Sequence, residues 1–269
     1  MESMLQGMPL YEPPVFIDPC VASLKARGEL SRAIQETIVP AINYRDARIE
    51  AYGQSIPRED VGGDLVDLVA KGNDTFAYVA DVSGHGVPAG VLMGMVKTAV
   101  RYGLHYGQAL PMVLDGLNSV LPAVKQPNMY ATLAGLRFDG SNEAEFITAG
   151  HIPLLQYRRR KRDVVRRSIA QFPLGLFAGA GYVSGRAPFE AGDIFVLLTD
   201  GVVEAADREE AEFGFERLEQ ILCELGGRPL PEIFEAALAA VTRHGAQEDD
   251  QTLLLIRALA PGRQQAGWN

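Results

Sequence analysis

The chain has 269 residues, 47% of them hydrophobic, as expected for one large globular domain with a sizeable core. Its formal net charge of −9 repels a phosphate backbone, so we do not expect a general nucleic-acid-binding protein. No window is apolar enough to span a bilayer and no signal peptide is recognisable, which predicts a cytoplasmic protein that does not bind a membrane. Cys20 and Cys223 lie in no CxxC motif and beside no histidine, so neither a disulfide framework nor a zinc site is expected.

The N-terminal region divides into an arm and a helix. Residues 1–20 are rich in proline and show no periodicity, which predicts an irregular arm. From Val21 to Val39 the apolar residues recur at helical spacing, and Pro40 ends the predicted helix. Its narrow apolar stripe consists of Ala26, Leu30, Ile34 and Ile38. A stripe of this kind must be covered, either by the domain itself or by the same helix of a second chain, and we predict a homodimer.

The rest of the chain contains runs of strands and pairs of helices. Strands are predicted at residues 47–54 and in the hairpin formed by LVDLVAKG and TFAYVADVS. The segment Pro88–Gly103 is apolar almost all round, which predicts a buried helix, and a second helix is expected over Ala109–Leu121. Further strands are predicted at Tyr130–Phe138, Glu145–Thr148, Leu154–Tyr157, Val164–Ile169, Gly181–Pro188, Ile194–Leu198 and TLLLIRA, and further helices at Gly214–Glu224 and Pro231–His244. This order indicates an α+β fold with separate layers.

Acidic residues stand at the ends of predicted strands or beside glycines. They are Asp64 in VGGDLVD, Asp81 in AYVADVSGHG, Asp200 in FVLLTDGVVEA, and Asp249 with Asp250 in QEDDQTLLLI. A single Asp before Gly is usually a turn residue, so the functional interpretation depends on all of these residues together. If folding brings them together, carboxylate oxygens and the absence of a His/Cys cluster favour Mg²⁺ or Mn²⁺ over Zn²⁺.

Nine motifs carry a family resemblance from about Ile34 to Arg257. In order, they are AIQETIVPA, VGGDLVD, DVSGHGVPAGVLM, YATL, TAGHIPLL, FPLGL, GDIFVLLTDGVVEA, FGFERL and EDDQTLLLI. In these motifs the chain resembles the SpoIIE/RsbU-like branch of the PPM (protein phosphatase 2C-like) metal-dependent phosphatases. The resemblance implies an αββα sandwich of two antiparallel sheets flanked by helix pairs. It also implies a regulatory helix at 21–40, a phosphatase domain at 41–260 and a flexible tail at 261–269.

The same resemblance implies a site for two Mn²⁺ or Mg²⁺ ions. Asp81 would bridge both ions, with the backbone carbonyl of Val82 beside it. Asp64 would hold the second ion, and Asp200 and Asp249 the first. The neighbouring Asp250 could take or support the role of Asp249. Asp67, in the GGDxxD pattern, is expected to be structural or to support the ligands.

The implied activity is hydrolysis of phosphoserine or phosphothreonine by a metal-activated water. The implied substrate is a phosphorylated anti-sigma-factor antagonist of the STAS type. Pairing of the N-terminal helices would alter catalysis through the Pro88–Gly103 helix. No Cys-x₅-Arg loop or aspartyl nucleophile motif offers a covalent route.

The histidines and the basic run have simpler interpretations. His85 and His151 could each protonate the leaving oxygen of the substrate or orient a loop. Of these two catalytic candidates, His85 is expected either to support the structure or to contact substrate, and His151 to hydrogen-bond backbone at a turn. His105 and His244 are expected on helix surfaces. The run RRRKRDVVRR at 158–167 joins two apolar strands, which predicts a solvated hairpin turn in preference to a nucleic-acid site.

Two other functions fit the sequence less well. A nucleotide cyclase, suggested by GGD, does not fit because the motif continues as LVD and no nucleotide-binding loop follows. The second is a degenerate phosphatase fold that acts only as a binding module. The intact set of carboxylates argues against it, because a binding module would not need them.

Overall fold

A computed structural model describes residues 32, 33 and 35–259 of the chain. The predicted arm, the predicted tail from residue 261, and Ala26, Leu30 and Ile34 of the predicted N-terminal helix lie outside the described residues. Within that helix, residues 32–33 and 35–38 are helical.

Two antiparallel sheets form the centre of the fold. The first has the strand order β1-β2-β11-β10-β7-β8 and the second the order β3-β4-β5-β6-β9. The strands are β1 (Ile42–Arg45), β2 (Ile49–Ile56), β3 (Leu65–Lys71), β4 (Asp74–Val82), β5 (Ala131–Phe138), β6 (Glu143–Ala149), β7 (Leu154–Arg158), β8 (Asp163–Arg167), β9 (Gly185–Pro188), β10 (Ile194–Leu198) and β11 (Gln251–Ala258).

Helix pairs cover the outer faces of both sheets. Helices α1 (Gly86–His105) and α2 (Leu110–Val124) pack together, and α1 contacts β3 and β4 of the second sheet. On the first sheet, α4 (Gly214–Leu225) contacts β7 and β8, and α5 (Leu230–His244) contacts β2 and β11. A short helix, α3 (Asp200–Val203), follows β10. The predicted αββα sandwich is therefore confirmed.

The core explains why the central strands are apolar on both faces. In β10, Phe195 and Leu197 belong to the cluster between the sheets, whereas Val196 and Leu198 belong to the cluster beneath α4 and α5. Because side chains alternate along a strand, a sheet buried on both sides needs an apolar residue at every position. The run IFVLL meets this requirement, and all five residues are buried.

Several predicted boundaries are wrong. Strand β1 was not expected, and β9 comprises only Gly185–Pro188 of the predicted strand Gly181–Pro188. The preceding segment is held instead by side chains: the Gln171 oxygen accepts from the Val183 amide at 2.6 Å, and Asp115 accepts from the Tyr182 amide at 3.0 Å. These bonds replace the sheet bonds that a longer strand would make.

Helix α1 also departs from its prediction, because it is not buried all round. Its sheet-facing side is buried, but Val87, Val91, Met95 and Tyr102 are between 39% and 65% exposed. An apolar sequence alone does not specify what covers each face. No helix in the described part of the chain is long and apolar enough to cross a bilayer.

Candidate active site

The predicted acidic residues come together at one end of the sandwich. Asp64 directly precedes β3 and Asp81 lies at the end of β4, and the register Leu65↔Ala80 places them side by side. In the other sheet, Asp200 follows β10 and Asp249 precedes β11. Antiparallel pairing of β10 with β11 places these two at the same edge of the sheet.

Asp64 connects the two sheets. Its side chain is almost completely buried, and its Oδ2 accepts hydrogen bonds from Thr199 Oγ1 at 2.7 Å and Thr252 Oγ1 at 2.6 Å. Both threonines belong to the first sheet or its edge, whereas Asp64 leads into the second. Burial and the nearby Asp81 carboxylate hold the pKa of Asp64 well above its usual range, against the effect of the two hydroxyl groups. A cation would relieve this cost.

Asp81 lies among like charges. Burial first, and then the charges of Asp200, Asp249, Asp250 and Glu204, together raise its pKa to about 7. The pKa of Asp200 is also raised, first by burial and then by Asp249. Neither Asp81 nor Asp200 forms an ion pair with any described Lys, Arg or His. The two carboxylates are therefore poorly solvated and lack a positive partner.

The structure separates the roles of the adjacent residues Asp249 and Asp250. The Asp250 side chain is buried: its Oδ2 accepts from the Gly63 amide at 2.7 Å and the Asp64 amide at 3.3 Å, and its Oδ1 accepts from the Arg58 amide at 2.8 Å. Asp250 therefore holds the glycine loop before Asp64. The side chain of Asp249 is exposed, and only its Oδ1 is engaged, by the Asp250 amide at 2.8 Å. Of the two, Asp249 is free to bind an ion.

Glycines allow the loop before Asp64 to pass close to its neighbours. A Cβ atom on Gly62 would collide with the carboxylate of Asp250. A Cβ on Gly63 would lie 2.5 Å from the carbonyl oxygen of Val82, which is closer than van der Waals contact permits. The Val82 carbonyl is thus packed against the loop that carries Asp64, as a shared site would require.

Among the described residues, no three His, Cys, Asp or Glu side chains are arranged as a ready-made ligand set for one ion. The oxygen donors fit Mg²⁺ or Mn²⁺ in kind, since carboxylates are hard ligands and the pKa values of Asp64, Asp81 and Asp200 are raised.

His151 has the structural role expected from the sequence. Its Nε2 lies 2.9 Å from the Leu198 carbonyl, which can only accept, so Nε2 carries the proton. Its Nδ1 then accepts from Thr132 Oγ1 at 2.6 Å. Burial lowers the pKa of His151 to about 4, which keeps the ring neutral. The ring bridges β5 of one sheet and the end of β10 of the other.

The other histidines do not join the carboxylates. The side chain of His85 is 85% exposed, immediately before α1, and its Nδ1 lies 3.7 Å from Glu59. His105 is exposed on α1, as expected. His244, at the end of α5, is only partly exposed and its Nε2 donates to the Ala211 carbonyl at 2.8 Å.

Asp67 is structural, in agreement with the sequence. Its buried carboxylate accepts from the Tyr78 hydroxyl at 2.7 Å and from Arg101 Nε and Nη2 at 2.6 Å each, with Lys97 Nζ at 3.4 Å. Burial raises its pKa, but the bonds from Arg101 and Tyr78 and the charge of Lys97 outweigh burial and leave it below the ordinary value. Asp67 thereby fastens α1 to β3.

The basic run forms the hairpin between β7 and β8, as predicted. Its turn follows Arg158 at the far end of β7, whereas β7 begins near His151 at the carboxylate end. Arg158 pairs with Asp163 at 2.6 Å and Arg166 with Glu219 at 2.5 Å. The turn is therefore remote from the candidate site.

Three polar residues at the site were missed by the sequence analysis. Thr199 and Thr252 bond Asp64, and the side chain of Gln35 bonds the backbone of Gly62. The threonines lie in the same motifs as Asp200 and Asp250, so their position in the sequence could have identified them as site residues. Gln35 lies 27 residues upstream of Gly62, in the motif AIQETIVPA.

Comparison with known proteins agrees with the fold and the motifs. The four-layer architecture is that of the PP2C-type serine/threonine phosphatases, the class to which the sequence motifs pointed. Residues 71–259 match the family described as Stage II sporulation protein E (SpoIIE). The chain belongs to the SpoIIE family.

Individual relatives cover most of the chain. Phosphoserine phosphatase RsbU of Bacillus subtilis (strain 168) is 25% identical over 246 residues, or 87% of this chain and 70% of RsbU. The SiaA-PP2C domain of Pseudomonas aeruginosa superposes with a TM-score of 0.72 at 23% identity, covering 90% of this chain and 99% of that domain. The catalytic domain of the phosphatase PstP, solved with two manganese ions, has a TM-score of 0.58 at 16% identity, covering 79% and 99%.

Proposed function

We propose that this protein is a Mn²⁺- or Mg²⁺-dependent phosphatase that removes phosphate from phosphoserine or phosphothreonine in a protein substrate. The observation that carries the proposal is the convergence of Asp64, Asp81, Asp200 and Asp249 from four separate segments at one end of the sandwich. Burial, and after it the repulsion between neighbouring carboxylates, raises the pKa values of Asp64, Asp81 and Asp200. Divalent cations are the binding partners that make such a cluster favourable.

In this proposal each carboxylate has a separate role. Asp81, with the Val82 carbonyl beside it, would hold both ions, Asp64 would hold one of them, and Asp200 and Asp249 would hold the other. Asp250 supports the site by holding the loop before Asp64 and is not a ligand. Two bound divalent ions would supply a nucleophilic hydroxide at neutral pH and offset the charge of the phosphoryl group.

The polar residues around the carboxylates have separate roles. Thr199 and Thr252 direct Asp64 Oδ2, which leaves Oδ1 without a hydrogen bond among the described residues. His151, neutral and held on both ring nitrogens, is unsuited to proton transfer. His85 is exposed at the start of α1, close to the loop after Asp81, and is placed to contact the substrate protein.

The substrate is proposed to be a phosphorylated protein of the STAS-type antagonist class. Support comes from the relative RsbU, whose name identifies it as a phosphoserine phosphatase. The excess of negative charge around the site favours an approach in which the ions, and not basic side chains, attract the phosphate.

The predicted homodimer is retained as part of the proposal. The predicted apolar stripe falls largely outside the described residues. The exposed side chains of Val87, Val91, Met95 and Tyr102 give α1 an apolar face that no described residue covers. Pairing through the N-terminal helix would bring a second chain close to α1, which directly follows the Asp81 loop. Light scattering of Leu30→Glu/Ile34→Glu against wild type tests this part: equal mass and equal activity would reject it.

Phosphate release from a panel of phosphorylated STAS-type proteins and phosphoserine peptides, with Mn²⁺ and with chelator, tests the main proposal. We expect release only with the ion and a preference for one protein of the panel. Tight binding of a phosphoprotein without any release would favour the alternative of a catalytically weak binding module.

A further inference from the structure

The loop that carries Asp64 has three consecutive backbone amides bonded by side chains from distant segments. Asp250 accepts from the Gly63 and Asp64 amides. The Gly62 amide donates to Gln35 Oε1 at 2.8 Å, and Gln35 Nε2 lies 3.5 Å from the Gly62 carbonyl oxygen. Gln35 therefore bonds both the amide and the carbonyl of Gly62, and Asp250 bonds the next two amides.

Gln35 and Asp250 enclose Gly62 from two directions. Gln35 is 6% exposed and Asp250 is 9% exposed, so neither bond is replaced easily by water. A Cβ on Gly62 would collide with the Asp250 carboxylate, which shows how little the loop can shift in that direction. Loss of the glutamine amide would leave buried backbone groups of Gly62 without partners, an outcome that proteins avoid.

A second bond fixes the same helical segment three residues later. Lys97 Nζ donates to the Ile38 carbonyl at 2.5 Å and lies 3.4 Å from Asp67. Gln35 and Ile38 are on one face of the helical residues 35–38, because residues three apart are neighbours on a helix. The segment is thus bonded to Gly62, two residues before Asp64, and through Lys97 to Asp67, three residues after it.

Resting on the proposed function, we propose that Gln35 is a positioning residue of the metal site. It touches no ion and no substrate; it acts through Gly62 by fixing the loop that presents Asp64. The Asp250 side chain bonds the amides of Arg58, Gly63 and Asp64 but not the polar groups of Gly62, which Gln35 bonds. The affinity of the site for a divalent ion then depends on a side chain from outside the residues 71–259 that match the family.

The test compares Gln35→Met, which keeps the side-chain length without the amide, with Glu36→Met as the matched control. Glu36 is the exposed neighbour on the same helical turn. Mn²⁺ binding is measured by isothermal titration calorimetry, turnover by phosphate release over a range of Mn²⁺ concentrations, and exchange of the Gly62 amide by NMR in metal-free protein. Gln35→Asn, whose amide is one methylene too short to reach Gly62, serves if Gln35→Met does not fold.

We expect Gln35→Met to weaken Mn²⁺ binding about tenfold, a change of about 1.4 kcal/mol. Turnover at saturating Mn²⁺ should stay within about twofold of wild type, and Gly62 exchange should accelerate, while Glu36→Met changes neither. A merely structural glutamine would lower the melting temperature and leave the Mn²⁺ constant unchanged.

The result that overturns the inference is equal Mn²⁺ affinity in wild type and Gln35→Met, or Gly62 exchange that does not change. Failure of the proposed function looks different, because wild type itself would then bind no Mn²⁺ or release no phosphate. If wild type binds Mn²⁺ without hydrolysis, calorimetry and exchange still decide the role of Gln35.

Discussion

Replacement of Asp67 by Asn should destabilise the protein strongly although the side chain keeps its size. Asp67 is 3% exposed and accepts from Tyr78 and twice from Arg101, with Lys97 nearby. Removing one partner of a buried ion pair costs about 3–5 kcal/mol. The side chain of Arg101 is 50% exposed and can turn to water, whereas that of Lys97 is 12% exposed. Allowing for this screening, we expect a loss of about 2–3 kcal/mol.

Urea denaturation followed by circular dichroism measures this difference. Asp74→Asn is the control, because its pair with Arg137 is about one-third exposed and should contribute less than about 1 kcal/mol. Because the folded pKa of Asp67 is lowered, its stabilisation is complete above the ordinary carboxyl pKa of about 4 and is lost as pH falls through the folded value. A gap below about 1 kcal/mol at pH 7 would refute the proposed role of the cluster.

Three further changes have defined outcomes. Gly62→Ala should weaken Mn²⁺ binding in calorimetry, since the new Cβ collides with Asp250; unchanged affinity would show that the loop adapts. Neutralising Arg158, Arg159, Arg160 and Lys161 should leave turnover of a small phosphate ester unchanged, and a large loss would place the hairpin at the site. Buried neutral His151 has its pKa lowered to about 4, so its contribution is lost as pH falls from about 6.5 towards that value. The stability gap between wild type and His151→Gln should narrow over that range in thermal denaturation, and a constant gap would argue against burial as the cause.

The layers of the fold were predictable because periodicity and turn residues mark the elements locally. The apolar run IFVLL indicated a strand, and the Gly-Asn-Asp turn indicated the β3–β4 hairpin. Strand β1 escaped notice because four residues carry too little periodicity. The exposed face of α1 was not predicted, because an apolar sequence does not show which of its residues are covered in the folded protein.

The candidate site was predictable only in part. Asp residues at strand ends beside glycines suggested ligands, but nothing in their spacing showed convergence; the order of the family motifs did. The sequence could not predict which of Asp249 and Asp250 bonds the Gly63 amide, since that depends on the folded chain. Gln35 was missed because a long-range bond to backbone leaves no local pattern in the sequence.

Phosphate release from a phosphoserine peptide by wild type and Asp81→Asn, each with Mn²⁺ and with chelator, is the most direct test of the two-ion proposal. Glu235→Gln, on the exposed side of α5, removes one charge far from the site and serves as the control. We predict release by wild type and control only when Mn²⁺ is present, and a loss of at least about a hundredfold in Asp81→Asn, because a bridging carboxylate serves both ions. Release by Asp81→Asn at the wild-type rate, or by wild type in chelator, would contradict the assignment of these carboxylates as the metal site.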